Sequence, residues 1–323
     1  MTEMAHSTKA HSASAHLLAV DWGTSWLRGA LLDSRGKVVG ERSFARGILT
    51  VRADHFPTVF EECFGDWMSP GVLCLMSGMV GSRHGWQEAP YCPCPAGFAD
   101  IASKLVWLQP GRMAIVPGLS YDVSGVPDVM RGEEVQVFGA LELLGLKDAQ
   151  LVLPGTHSKW VRVEAGRITQ FSTWMTGEFF SLLRQHSILA RMMPAEAASS
   201  GVSTHPAEPS AAHLAAFDQG VQQALQGVSL LHTAFSARTL ALFDKLPAEL
   251  LPRYLSGLVI GEEVRAQDLS KLKTGESLVM MGSPLLTPWY QRALAQRGVK
   301  VRTVGEAASW HGLHALAKAL RLV

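Results

Sequence analysis

The 323-residue sequence has few cysteines, and its charges nearly cancel. Four cysteines, Cys63, Cys74, Cys92 and Cys94, are too few for a disulfide framework in a chain of this length. The formal net charge is +1 and no dense Lys/Arg stripe is present, which disfavours nucleic-acid binding. No apolar run reaches the length of a transmembrane helix. These absences predict a protein of the reducing cytoplasm that works without a nucleic-acid or membrane partner.

Neither a secretion signal nor a metal-binding cysteine pair is indicated. Residues 1–15, MTEMAHSTKAHSASA, contain no hydrophobic stretch of the kind that a secretion signal needs, and we interpret them as a disordered tail. Cys92 and Cys94, with His84 nearby, are spaced more tightly than the usual zinc ligands, and no second pair follows. Ordinary thiols in a proline-rich loop explain this pair better than a metal site does.

A pattern of three short strands occurs twice, over residues 16–44 and 150–174. In the first copy an apolar strand runs into the turn Asp21-Trp22-Gly23-Thr24, and in the second copy into Gly155-Thr156. Two further strands, separated by a glycine turn, follow in each copy. The repeat predicts a duplicated β-rich core. Two unrelated hairpins are the alternative, because Gly-Thr turns are common.

The remaining sequence alternates between strand and helix patterns. Apolar periodicity predicts helices at 132–144, 178–193, 213–243, 249–265, 288–297 and 307–322. Buried strands are predicted within 71–82 and 112–119, and again at 277–284 and 299–304. This alternation predicts an α/β fold.

The two Gly-Thr turns have the composition of phosphate-binding turns. A carboxylate at a strand end, here Asp21, can orient hydrated Mg²⁺, which keeps several of its waters. Backbone N–H groups and hydroxyls of Gly23, Thr24 and Ser25 can then reach phosphate oxygens. The turn Gly155-Thr156-His157 can close on the phosphates from the other side of a cleft. No P-loop motif is present, and a plain hairpin capped by Asp21 is the alternative.

Six motifs resemble those of the 2-dehydro-3-deoxygalactonokinase family, within the actin/hexokinase-like superfamily, and they occur in the same order. They are DWGTSWLR (21–28), SGMVGSRHGW (77–86), VMRGEE (129–134), PGTHSKW (154–160), MTGE (175–178) and LSGLVIGEE (255–263). The resemblance implies ATP-dependent phosphorylation, with Mg²⁺, of the 6-hydroxyl of 2-dehydro-3-deoxy-D-galactonate in galactonate breakdown.

The resemblance also implies two ribonuclease-H-like (actin/hexokinase-like) domains that flank a nucleotide and substrate cleft. We expect an N-terminal domain over 16–128 and a C-terminal domain over 129–323, which includes the final helix at 307–322. Gly282 falls in the expected adenosine region. The Ser283-Pro284 pair behind it departs from the family pattern and leaves the contacts to the base and ribose open.

Glu133 and Glu134 are candidates for the catalytic base, since related sugar kinases place a carboxylate before a helix at a comparable position. A carboxylate there can align and deprotonate the attacking hydroxyl. Helix starts also favour acidic residues for dipole reasons alone, which explains at least one of the two. We expect Glu133 to be the base, with Glu134 and Glu178 as alternatives.

A keto-acid substrate needs a cation for its carboxylate, and arginine is the best-shaped donor. The candidates are Arg28, Arg83, Arg131 and Lys159, although a solvated surface charge is the usual explanation of a single arginine. His157 is expected at a phosphate or the sugar, or satisfied by local backbone. Trp86 is expected either in the substrate pocket or in the core.

Two other functions remain open at this stage. The first is a kinase of the same fold that acts on another sugar or sugar acid, because a fold does not fix a substrate. The second is a sugar-responsive regulator, which usually carries a helix-turn-helix ahead of the kinase-like part; fifteen polar residues cannot form one. A homodimer is compatible with the sequence, and the stereochemistry of the substrate is undetermined.

Overall fold

The computed structural model describes residues 15–194, 209–271, 278–305 and 307–320. The first sheet begins with an antiparallel meander of three strands, to which β4 adds in parallel beside β1. Two short strands complete it, in the order β3-β2-β1-β4-β7-β6. The strands are β1 (Ala15–Trp22), β2 (Leu27–Asp33), β3 (Val38–Phe44), β4 (Leu73–Ser77), β6 (Val106–Gln109) and β7 (Met113–Ile115).

The second sheet repeats this layout. Its order is β12-β11-β10-β13-β14, and β13 runs parallel to β10 as β4 does to β1. The two Gly-Thr turns therefore lie on different sheets, at equivalent positions, which confirms the duplicated core. That the turns face one cleft stays a prediction. The strands are β10 (Ala149–Leu153), β11 (Ser158–Glu164), β12 (Arg167–Trp174), β13 (Leu278–Met281) and β14 (Val301–Val304).

A third sheet of three strands was not predicted. It has the order β5-β8-β9, formed by β5 (Tyr91–Pro93), β8 (Gly118–Val123) and β9 (Val126–Met130). β5 is only three residues long and ends in a proline, so its sequence carries little strand signal.

The helices agree in position with most of the predicted ones. They are α1 (Phe56–Phe64), α2 (Phe98–Ala102), α3 (Glu133–Leu144), α4 (Thr176–His186), α5 (Ala211–Leu225), α6 (Leu230–Thr233), α7 (Ser236–Leu242), α8 (Leu251–Ala266), α9 (Thr287–Ala295) and α10 (Ala308–Ala319). The helical region predicted at 213–243 contains three helices, and Gly227, which has a φ of +82°, lies at the first of the two breaks between them. Among the described helices, none is long and apolar enough to cross a membrane.

The chain divides into two compact units at positions other than the predicted ones. The first comprises the described parts of Met1–Ala149, Val161–Ser172 and Val304–Val323, and the second comprises Gln150–Trp160 and Thr173–Thr303. Helix α3 and the final helix α10 thus belong to the first unit, whereas we expected both after a boundary at 128. The predicted tail, apart from Ala15, lies outside the described residues.

The reason for this difference is the close packing of α3 on α10. A methyl group added at Gly139 would lie 1.8 Å from the carbonyl oxygen of Ala308, and one at Gly312 would lie 2.0 Å from that of Val135. Only glycine permits two helices to approach so closely. Sequence position alone could not show that segments so far apart in the chain share one unit.

Candidate active site

The turn between β1 and β2 is held by a neighbouring segment of backbone. The N–H of Gly23 donates to the carbonyl oxygen of Trp26 at 2.9 Å and closes the turn. The carbonyl oxygens of Gly23, Thr24 and Ser25 accept hydrogen bonds from the backbone of residues 47–49, at 3.0 to 3.2 Å. Thr24 and Ser25 remain exposed. The turn is therefore fixed on one side and accessible at the two residues predicted to bind phosphate.

Gly47 is part of this arrangement, and sequence reasoning missed it. Its backbone is ordinary, with a φ of −66°, but a Cβ atom there would lie 2.3 Å from backbone atoms of Thr24 and Ser25. Contacts this short do not occur, so any other residue must displace the turn. No local pattern marks Gly47, because the constraint comes from Thr24 and Ser25, in a separate segment earlier in the chain.

Asp21 lies at the end of β1, where the parallel strand β4 also ends. Its side chain is 14% exposed, and its Oδ2 accepts a hydrogen bond from Arg28 Nη2 at 2.6 Å. Gly78, just after β4, has a φ of +90°, and a Cβ atom there would lie 3.1 Å from Asp21 Oδ1. Arg28 therefore pairs with the Asp21 carboxylate, and its role as a substrate ligand stays a prediction.

The start of α3 reaches the same edge of the first sheet. Gly132 has a φ of +104°, and a Cβ atom there would lie 3.1 Å from the Cα of Gly78. Glu133, the next residue, is half-buried, and its Oε2 accepts the backbone N–H of Arg131 at 3.0 Å. Through Gly78 and Gly132, the first unit brings the end of β1 and the start of α3 together.

Glu134 differs from Glu133 in that it is fully buried, with 0% exposure. One carboxyl oxygen accepts the N–H of Gly132 at 2.7 Å. Burial, followed by the charge of Glu133, raises the pKa of Glu134 to about 8. This enclosure makes Glu134 less suited than Glu133 to reach a substrate hydroxyl, and its assignment as an alternative base stays a prediction.

Arg131 is a buried cation, and two of its nitrogen donors have no hydrogen-bond partner among the described residues. Its side chain is 8% exposed, stacks over the ring of Tyr91 at 4.4 Å, and donates from Nη2 to the carbonyl oxygen of Ala89 at 2.8 Å. Its Nε and Nη1 are buried and have no hydrogen-bond partner among the described residues. Because unpaired buried donors are costly, this guanidinium is suited to an anion.

Two further predicted substrate residues are Arg83 and Trp86. The side chain of Arg83 is 81% exposed, 3.9 Å from Glu88, as expected of a solvated surface charge. The Trp86 ring packs against Trp22 and Phe60, with centroids 6.3 and 5.8 Å apart, at the edge of the hydrophobic core. Arg83 therefore extends into water and half-buried Trp86 packs against the core, and the roles of both as substrate ligands stay predictions.

The second Gly-Thr turn is packed against the start of α4. A Cβ atom at Gly177 would lie 2.7 Å from the carbonyl oxygen of Gly155, and the N–H of Glu178 donates to Thr156 at 3.1 Å. Exposed His157 contacts Glu178 through Nε2 and Oε2, which are 2.5 Å apart. Glu178 thus contacts this turn in the second unit through both its backbone N–H and its carboxylate.

Lys159 and Gly282 also lie near the second turn. Lys159 is 4% exposed, and its Nζ is 3.4 Å from the carbonyl oxygen of His157. Gly282 follows β13, where a Cβ atom would lie 3.3 Å from the carbonyl oxygen of Pro154. The ends of β10 and β13 therefore meet as those of β1 and β4 do.

A cavity of about 380 Å³ opens beside the second turn, entirely within the second unit. Gly155 and Gly177 form one end, and Phe180, Ile260 and Trp289 supply apolar walls. Arg253, stacked over Trp289 at 4.5 Å, and Arg184 add positive charge. Its size and mixed lining suit a small molecule with a flat ring and an anionic end. Of the lining residues, sequence reasoning singled out only Gly155 as a ligand contact, because most of the lining comes from distant helices.

Comparisons with known proteins agree with one another over nearly the whole chain. A family model described as 2-keto-3-deoxy-galactonokinase matches residues 21–316. A Rhizobium meliloti (strain 1021) protein, provisionally named a 2-dehydro-3-deoxygalactonokinase, is 35% identical over 314 residues, 96% of this chain and 99% of that protein. The 2-dehydro-3-deoxygalactonokinase of Escherichia coli (strain K12) is 33% identical over 308 residues, 95% of this chain and 99% of the relative.

A solved structure from Sinorhizobium meliloti, with the same provisional assignment, is similar in three dimensions. Its TM-score is 0.79 at 34% identity, covering 94% of this chain and 99% of that chain. The likeness therefore extends over almost the whole of both chains.

Proposed function

Because the chain belongs to the 2-keto-3-deoxy-galactonokinase family, we propose that it transfers the γ-phosphate of ATP to the 6-hydroxyl of 2-dehydro-3-deoxy-D-galactonate. One observation supports this most: the first unit holds Asp21 and the start of α3 at one sheet edge, through Gly78 and Gly132. Phosphoryl transfer requires such positioning of charge near a hydroxyl and little covalent chemistry from the protein.

In the first unit we assign Glu133 as the base and Asp21 as the residue that holds hydrated Mg²⁺. Glu133 is half-buried, so its carboxylate can approach a hydroxyl and accept its proton. The Asp21 carboxylate keeps Oδ1 beside Gly78 while Arg28 binds Oδ2, and a single carboxylate suits a cation that retains its waters. Bound Mg²⁺ would neutralise phosphate charge. Gly23, Thr24 and Ser25 would contact phosphate oxygens.

In the second unit we assign the turn Gly155-Thr156 to the phosphates, with His157 and Lys159 beside it. The cavity that begins at Gly155 would take the nucleoside, with the base against Trp289 and Phe180. Gly282 keeps β13 close to Pro154, and Leu285 and Leu286, which follow it in the chain, line the cavity. Stacking of the base on aromatic and apolar walls accounts for the lining of the cavity.

We assign Arg131 to the carboxylate of the substrate. Its buried Nε and Nη1 have no hydrogen-bond partner among the described residues, and unpaired donors on a charged guanidinium suit an anion such as a carboxylate. Lysine at this position would keep the charge but lose donors of the guanidinium. Arg131→Lys should therefore raise the KM for the sugar acid at least ten-fold and leave the KM for ATP near that of the parent.

A kinase for another sugar acid is the alternative, and a substrate panel separates the two. The assay couples ADP release to NADH oxidation with 2-dehydro-3-deoxygalactonate, its gluconate-derived epimer, and the corresponding sugars without a carboxylate. We expect the highest kcat/KM with the galactonate-derived acid. A higher kcat/KM with a sugar that lacks the carboxylate would overturn both the substrate and the role of Arg131.

We also propose that the chain forms a homodimer; its cytoplasmic location stays a prediction. The α6–α7 segment exposes Leu231 (87%), Phe235 (52%), Leu242 (54%) and Phe243 (72%). The two phenylalanines alone leave about 250 Å² of apolar surface exposed. This is about a third of the roughly 800 Å² that each partner buries in a standard interface. Exposed Asp244 and Lys245 next to this surface supply both signs of charge, which suits a two-fold partner.

Light scattering tests the dimer. The parent and a Val126→Ser control, whose residue is 70% exposed on β9, should have twice the mass of the monomer. Phe235→Ser combined with Phe243→Ser should have the monomer mass. A monomeric parent at tens of micromolar would overturn the proposal.

A further inference from the structure

Glu263 is a buried carboxylate to which three elements of the second unit donate hydrogen bonds. It lies on α8 with 1% exposure. Its Oε1 accepts the indole N–H of Trp160, from β11, at 2.7 Å. Its Oε2 accepts the hydroxyl of Tyr290, from α9, at 2.6 Å and that of Thr176, at the start of α4. One side chain thus ties α8 to a strand and two helices.

The network compensates for the burial of the carboxylate. Burial raises the pKa of Glu263, and the three donors act in the opposite direction. Ser158 extends the network, since its Oγ lies 2.8 Å from the Tyr290 hydroxyl. Each member is therefore held by at least one other member of the network.

Both ends of the second phosphate turn are attached to this network. Ser158 follows the turn Gly155-Thr156-His157 directly, and its hydroxyl belongs to the network. Thr176 precedes Gly177, which packs against Gly155 with almost no space for a Cβ atom. A shift of Thr176 or Ser158 would therefore move the turn.

The same network also lines the cavity assigned to the nucleoside. Thr176 and Tyr290 both contribute to its wall, whereas Trp160 does not. Glu263 itself does not line the cavity, so any influence on a bound nucleotide passes through its two hydroxyl partners.

We propose that Glu263 is a positioning residue for the nucleotide. Through its hydrogen bonds to Thr176 and Tyr290, it fixes the position of the second phosphate turn relative to the wall of the cavity. The inference rests on the proposed function in that the ligand is a nucleotide. Its consequence is that nucleotide binding, rather than sugar-acid binding, depends on a carboxyl group that neither ligand touches.

Calorimetric titration with ADP and with the non-hydrolysable analogue AMPPNP tests this proposal on Glu263→Gln, Thr176→Val and Tyr290→Phe. We expect each variant to bind nucleotide about ten-fold or more weakly, because each loses a hydrogen bond to a charged group. The KM for the sugar acid should stay within two-fold of the parent. Trp160→Phe is the matched control, since it removes a bond to the same carboxylate without touching the turn or the cavity; it should lower the melting temperature and leave nucleotide affinity unchanged.

The outcomes separate this inference from the proposed function. A parent that binds no adenine nucleotide refutes the function itself. A parent that binds, together with folded Thr176→Val and Tyr290→Phe that bind equally well, refutes only the role of Glu263. Nucleotide affinity that falls as much in Trp160→Phe as in the other variants would also overturn it. The loss of affinity would then be explained by the lower stability of the folded protein alone. The two hydroxyl variants keep the test decisive if Glu263→Gln does not fold.

Discussion

Replacing Gly47 with alanine tests whether the turn between β1 and β2 must stay in place. A Cβ atom would lie 2.3 Å from backbone atoms of Ser25 and Thr24, and an ordinary contact requires about 3.4 Å. The turn must therefore move by about 1 Å. A misplacement of this size at a reacting group costs roughly 100-fold in rate, or about 2.7 kcal/mol in the activation free energy.

The assay for Gly47→Ala is steady-state ADP release, with thermal unfolding measured on the same preparation. We expect kcat/KM to fall about 100-fold. Gly305→Ala is the control, because Gly305 has no atom within 4 Å of its ideal Cβ position and should keep the parent rate. A folded Gly47→Ala enzyme with at least a third of the parent kcat/KM would refute the claim that the turn between β1 and β2 must stay in place for catalysis.

Three further predictions concern the first unit. Asp21→Asn should lower kcat by several orders of magnitude while the protein stays folded, and near-normal turnover would end its assignment to the phosphates. Glu133→Gln should keep nucleotide binding and lower kcat roughly 100- to 10,000-fold, as for a lost general base, whereas Glu134→Gln should have a much smaller effect on kcat. Glu134 has a pKa of about 8 in the folded protein, so the folded state holds a proton that the unfolded state loses near pH 4.5, and the parent loses stability as pH rises from about 4.5 to 8. Glu134→Gln lacks this titration, so its melting temperature minus that of the parent should rise across this range. A difference that stays constant would contradict the argument that burial raises this pKa.

The sequence predicts those parts of the fold that depend on local patterns. The β1–β2–β3 and β10–β11–β12 meanders follow from β-branched residues between glycine turns, and their repetition predicts the shared strand order. The start of α3 at Glu133 follows from Gly132 and the apolar periodicity after it.

The remaining features depend on contacts between distant segments. Glu133 and Glu134 are alike in sequence, but successive residues of a helix point about 100° apart, so one is accessible and the other is enclosed. Gly47, the Glu263 network and the cavity each join segments that are far apart in the chain. That Trp86 packs against the core depends on its contacts with Trp22 and Phe60, which its own sequence position does not show.

The position of the new phosphate ester tests the central claim most directly. Purified protein is incubated with ATP, Mg²⁺ and 2-dehydro-3-deoxy-D-galactonate, and the product is examined by ³¹P–¹H correlation spectroscopy. Transfer to the 6-hydroxyl predicts one phosphorus resonance coupled to the two protons of the C6 methylene group, formed in equal amount to ADP. An ester at another carbon, or ADP formed with inorganic phosphate and no ester, would contradict the assignment.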